Sequence, residues 1–139
     1  MRKDRTAAMT SHPHVLIVED NYVLLDVLTT VCERNGVNVV AASSGEDALT
    51  ILRQRGPEIE CLLTDINLPG LIDGWTVAEA YRALHPDRPV VYASAAEQVG
   101  RDTVPGSFFL RKPFQVQEIA ELARMMAETA KPLPMPAAG

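Results

Sequence analysis

Cys61–Gly70 reads CLLTDINLPG. A short apolar run reaches Thr64, and Asp65 then stands where a buried strand should end. Asn67 and the pair Pro69-Gly70 follow at once, which is turn chemistry. The segment predicts a strand carrying a carboxylate at its carboxyl end. Taken alone, Asp65 has an ordinary role there as the first residue of a turn. Any other role needs partners from elsewhere in the chain.

Outward from this stretch, short β-rich runs alternate with helical periods. HVLIVED, from His14, is an aliphatic strand. NYVLLDVLTTVCERNG sets Leu24, Val27, Leu28 and Val31 at i, i+3, i+4 and i+7, with Gly36 as a stop. VNVVAA is a second strand. SSGEDALTILRQRG opens with Ser43 and Glu46 at capping-box spacing and closes on Gly56. ECLLTD is the third strand. DGWTVAEAYRALHP carries Val77, Tyr81 and Leu84 on one side and stops at Pro86. PVVYAS is a fourth strand and SFFLRK a fifth. Between them AAEQVGRD, with Gly100, Pro105 and Gly106 close by, predicts a short or frayed fourth helix. QVQEIAELARMMAET holds Val116, Ile119, Ala120 and Ala123 in helical register. Five strands alternating with helices predict an α/β fold with a doubly wound, five-stranded parallel sheet. The strands are nearly all aliphatic, as suits a sheet covered on both faces.

The 139 residues suit one domain, and a hydrophobic content of 47% is enough to build its core. Residues 1–13 read as a flexible tail, 14–130 as the domain, and 131–139 as a Pro-rich tail. The formal charge of −5, with no basic cluster beyond MRKDR, argues against nucleic-acid binding. No apolar stretch reaches the roughly 20 residues that cross a membrane, and the N-terminus lacks an apolar signal core. Cys32 and Cys61 lie within apolar patterns and read as reduced core thiols, so the expected compartment is cytoplasmic. His12, His14 and His85 show no metal-ligand spacing.

In a doubly wound sheet, ligands bind at the carboxyl ends of the strands. Glu19 and Asp20 follow the first strand here, Asp65 ends the third, Ser94 ends the fourth, and Lys112 ends the fifth. Each has an ordinary explanation: Asp20 or Ser94 as a helix cap, Glu19 or Lys112 as a solvated charge. Together they bring three carboxylates, a hydroxyl and an ammonium to one edge. Three carboxylates in one pocket repel one another, and a divalent cation relieves that. Mg²⁺ takes oxygen ligands and is usually held by one or two carboxylates plus a phosphate. Lys112 and Ser94 suit phosphoryl oxygens, and Asp65 is then free to act as a nucleophile forming an acyl phosphate.

At this point the sequence resembles a response-regulator receiver domain of the stand-alone, CheY-like type. VLIVEDN, LLTDINLPG, VVYASA and FFLRKPF carry the resemblance, which covers about residues 14–130. It implies a flavodoxin-like sheet in the order 2-1-3-4-5. It implies Asp65 as phosphoacceptor, Asp20 as a Mg²⁺ ligand, Glu19 acting on the metal through water, and Asn67 completing the site with its main-chain carbonyl. Ser94 matches the switch hydroxyl, Lys112 the active-site lysine, and Phe109 the rotating aromatic three positions earlier. The Lys112–Pro113 bond is expected to be cis. The chain departs from the pattern twice: the loop from Asp65 to Gly74 is one residue longer, and the stretch between Ser94 and Phe109 is short.

The resemblance implies a switch that assists its own phosphorylation and dephosphorylation rather than a conventional enzyme. The phosphate donor would be a sensor histidine kinase or a histidine phosphotransfer protein. The Pro-rich tail is too short for a DNA-binding module, so output is expected through protein contact or phosphate relay, by a monomer or weak dimer. The alternative is a degenerate receiver that binds partners without phosphorylation. A flavin- or nucleotide-binding protein needs a phosphate loop after the first strand, where the acidic EDNY stands. A phosphatase or nuclease built on Glu19, Asp65 and Asn67 leaves Ser94 and Lys112 without roles.

Overall fold

The computed structural model describes residues 14–95 and 103–130, with side chains through 128. Both tails and the expected fourth helix fall outside these residues. The elements run β1 (His14–Val18), α1 (Tyr22–Arg34), β2 (Asn38–Ala42), α2 (Gly45–Arg55), a 3₁₀ turn (Gly56–Glu58), β3 (Ile59–Asp65), α3 (Gly74–Leu84), β4 (Val90–Ser94), β5 (Ser107–Arg111) and α4 (Val116–Ala130). All strands pair in parallel in the order β2-β1-β3-β4-β5. The chain moves from β1 outward to β2 and then back across β1 to β3. Loops leaving β1 and β3 therefore diverge and open a crevice at their carboxyl ends.

Successive strand residues point to opposite faces, and both faces are covered. Leu16, Val18, Leu62, Val90 and Tyr92 pack with α2 and α3 around Leu52, Trp75, Val77 and Tyr81. Val15, Ile17, Cys61, Leu63, Val91 and Ala93 pack with α1 and α4 around Leu28, Cys32, Ile119, Ala123 and Met126. Burying one such aliphatic side chain contributes about 1.5–3 kcal/mol, so β1 and β3 anchor the domain. Both cysteines are buried and free, and burial pushes the Cys32 thiol up to about 11. Among the described residues no helix is long and apolar enough to cross a membrane.

Four of the expected helices fall within the described residues, and in three of them one expected apolar position lies outside the core. In α1, Cys32 is inside and Val27 is 40% exposed. In α3, Trp75 and Ala78 join Val77 and Tyr81 inside, while Leu84 is half exposed. In α4, Met126 completes the buried stripe and Val116 is exposed. The start of α2 also differs. Ser44, not Ser43, caps it, accepting the Asp47 N–H at 3.1 Å. Glu46 does not close a box with Ser43; its carboxylate accepts the Leu71 N–H at 3.0 Å. Gly56 has φ −49° and leads into the 3₁₀ turn instead of a left-handed stop. Gly36, by contrast, has φ +85°, and it ends α1 with its N–H donated to the Glu33 carbonyl.

Two contacts fix α3 relative to the sheet. Gly74 donates its N–H to the Ile66 carbonyl at 2.9 Å, and a Cβ at Gly74 would lie 2.0 Å from the Asp65 carbonyl oxygen. Only glycine permits that approach. At the opposite pole the buried Tyr81 hydroxyl donates to the Ile59 carbonyl at 3.0 Å.

Candidate functional site

The sheet delivers the five strand-end residues to one edge. Asp65 is the last residue of β3 and pairs in register with Ala93. Ser94 ends β4 opposite Arg111, and its carbonyl accepts the Lys112 N–H at 3.0 Å. Glu19 follows β1, and its N–H reaches the Ala42 carbonyl of β2 at 3.0 Å. Glu19, Asp65 and Ser94 are buried, whereas Asp20 is exposed.

Lys112 joins the acids. Its Nζ lies 2.8 Å from Glu19 Oε1 and 3.0 Å from Asp65 Oδ2. Ligand oxygens of Glu19, Asp20 and Asp65 all lie within 4.8 Å of one another. Burial pushes the Glu19 carboxyl above its ordinary value, outweighing the Lys112 hydrogen bond and the Asn21 N–H that favour its charged form. Burial works against the Lys112 ammonium, yet hydrogen bonds to Glu19 and Asp65 hold it above the usual lysine range. The ammonium is thus a fixed cation, and one cation faces three acids. That imbalance, in an oxygen-only donor set with one exposed member, fits a small hard cation.

Asn67 is exposed, two residues beyond Asp65 in the loop to α3. The Lys112–Pro113 peptide bond is cis. Phe109 is half exposed and lies on the same sheet face as Tyr92, stacked at 5.2 Å between ring centroids, with Trp75 edge-on at 6.3 Å. Trp75 and Tyr92 are themselves 4.8 Å apart. Tyr92 also accepts the buried Val104 N–H on its hydroxyl at 3.2 Å. Strand periodicity places Tyr92 and Phe109 on one face, but the sequence gives no sign that Trp75 joins them. Nor does it reveal the direct contact of Lys112 with Glu19.

A parallel sheet of this order, with an acidic cluster and a lysine at the β1/β3 crevice, defines a flavodoxin-like α/β domain with its candidate site at the carboxyl edge of the strands. The model of the response regulator receiver domain matches residues 15–124, and this chain belongs to that family. A response regulator receiver protein from Sinorhizobium medicae WSM419 superimposes with a TM-score of 0.78 at 28% identity, covering 88% of this chain and 99% of that one. The sensor kinase CckA of Brucella abortus is 28% identical over 129 residues, 90% of this chain but 14% of CckA. The response regulator SaeR of Staphylococcus aureus is 26% identical over 110 residues, 76% of this chain and 46% of SaeR. The chain thus spans half or less of the length of these two curated relatives.

Proposed function

We propose that this receiver domain accepts a phosphoryl group on Asp65 and passes the signal on by protein contact or phosphate relay. The observation that carries the reading is Lys112 Nζ held between Glu19 and Asp65, beside Asp20, at the carboxyl edge of the sheet. Lys112 engages Asp65 Oδ2, which leaves Oδ1 to attack phosphorus. With a phosphohistidine donor, the Oδ1–P bond forms as the N–P bond breaks, and the electron pair stays on the imidazole nitrogen. Lys112 and the Ser94 hydroxyl then meet the new phosphoryl oxygens. Asp20 and Asp65 would hold Mg²⁺ directly, Asn67 through its carbonyl and Glu19 through water. The cation supplies neutralisation of the charge that develops on the transferring group.

Phosphate adds charge and acceptor oxygens to the end of β3, which draws Ser94 inward. The space this opens is available to Phe109, and β5 carries the change to the surface. Donors are a sensor histidine kinase or histidine phosphotransfer protein, in the cytoplasm; the naming of CckA as a sensor kinase supports this. The domain assists its own phosphorylation and dephosphorylation.

Incubation with Mg²⁺ and acetyl phosphate or phosphoramidate, followed by mass spectrometry, tests the reading. The wild-type chain gains one alkali-labile phosphoryl group and Asp65→Ala gains none. An unchanged mass shift in Asp65→Ala sinks the assignment. No uptake by the wild type leaves the phosphorylation-independent binding module.

A further inference from the structure

The loop from Asn67 to Asp73 joins β3 to α3, and holding a loop closed costs chain entropy. Its ends are fixed locally. Ile66 donates its N–H to the Ala93 carbonyl at 3.0 Å, and Gly74 to the Ile66 carbonyl at 2.9 Å. Its outer side is held from another element. Glu46, in the first turn of α2, accepts the Leu71 N–H on Oε2 at 3.0 Å. Gly70 makes room for this, with φ +88°. A Cβ there would fall 2.8 Å from Oε2 and 3.0 Å from Oε1. Gly45 adds a second close approach, since its Cβ would lie 2.4 Å from the Ile72 carbonyl oxygen. Leu71 is 96% exposed, so its own side chain does not anchor the loop. The helix does not need Glu46 as a cap, because Ser44 already serves Asp47. The Leu71 amide holds the Glu46 carboxyl below its ordinary range, so it is ionised at neutral pH and a strong acceptor.

We infer that Glu46 is a positioning residue for the metal site: through Leu71 it holds the 67–73 loop, which carries the Asn67 main-chain carbonyl two residues beyond Asp65. The inference rests on the reading of Asn67 as a Mg²⁺ ligand. Glu46 itself touches neither metal nor phosphate. Its contribution is to hold in place a carbonyl that would otherwise have to be ordered when the cation binds.

The test compares the wild-type chain, Glu46→Ala and Glu46→Gln without any phosphodonor. Mg²⁺ titrations are followed by Trp75 fluorescence, and Leu71 amide exchange is followed by NMR. Glu46→Ala is expected to weaken Mg²⁺ by about tenfold and to expose the Leu71 amide. Glu46→Gln keeps an acceptor oxygen and restores most of both. Wild-type Mg²⁺ affinity in Glu46→Ala overturns the proposal alone. Glu46→Gln as weak as Glu46→Ala, with its Leu71 amide still protected, also overturns it, because charge and not the strut would then be responsible. No Mg²⁺ uptake by the wild type overturns the functional reading itself, and the proposal with it.

Discussion

Lys112→Met removes the ammonium while keeping most of the side-chain volume. It leaves Glu19 and Asp65, 2% and 8% exposed, without the cation that both contact. Breaking a buried pair by removing one partner costs about 3–5 kcal/mol when the remaining charge persists. Here protonation offers an escape. One carboxyl can take up a proton and hydrogen-bond to the other, and Glu19 is the candidate because burial already raises it. Protonating a carboxyl of ordinary value 4.5 costs about 3.4 kcal/mol at pH 7 and about 0.7 kcal/mol at pH 5. The escape therefore caps the destabilisation at about 3 kcal/mol at pH 7 and below about 1 kcal/mol at pH 5. The sign follows from linkage. A raised carboxyl makes the folded state bind a proton that the unfolded chain has released. Stability of the variant is then lost as pH rises from 4.5 through the raised value. The wild-type lysine, held above 10.5, stays charged throughout this window. Urea unfolding at pH 5 and pH 7, read by Trp75 fluorescence, measures both values. Saturating Mg²⁺ should recover part of the loss at pH 7 by supplying the missing positive charge. Equal destabilisation at the two pH values, or less than about 1 kcal/mol at pH 7, would refute the argument that Lys112 is the counter-charge of two buried acids.

Asp20→Asn is expected to weaken Mg²⁺ binding at least about tenfold while leaving the metal-free fold as stable or more so, since it relieves repulsion within the acidic cluster; calorimetry and thermal melts check the two halves. Gly74→Ala forces a methyl into the Asp65 carbonyl and should cost at least about 2 kcal/mol, seen in urea unfolding, and should slow phosphate uptake by displacing the end of β3. Tyr92→Phe leaves the buried Val104 N–H without its hydroxyl acceptor and should cost about 1–2 kcal/mol, with Val104 amide exchange rising most. On beryllofluoride addition, amide protection should increase most within residues 94–112; a larger change in α1 or α2 would move the output surface away from β5.

The sheet was legible because its strands are short aliphatic runs separated by turn chemistry. The site was legible for the same reason, since a polar residue at the end of such a run falls on one edge of the sheet. Which apolar positions of each helix are fully buried was less so. A 3.6-residue period specifies a stripe, but Val27 and Cys32 are both apolar enough to sit in it, and packing against β1 and α4 chooses between them. Leu84 fits the α3 pattern equally well, yet the turn at Pro86 leaves it beyond the edge of the core. The capping box failed through degeneracy. Ser43 stands three before Glu46 and Ser44 three before Asp47, so spacing alone could not say which pair closes the helix. Glu46 was claimed by Leu71, 25 residues away, and no local rule reports that. The aromatic triad of Trp75, Tyr92 and Phe109 joins three separate elements and is equally invisible to any window along the chain.

The ion pair at the centre of the site joins residues 93 apart in sequence, and its second arm joins residues 47 apart. Such contacts form late, because the chain entropy lost on closing long loops must be offset by structure already in place. Lys112 follows β5, whose pairing with β4 is the outermost on its side of the sheet. A chain folded only as far as β4 would hold its acidic residues without the lysine that balances them. The charge balance of the pocket therefore depends on β5 taking its place at the edge of the sheet, far along the chain from the acids it serves.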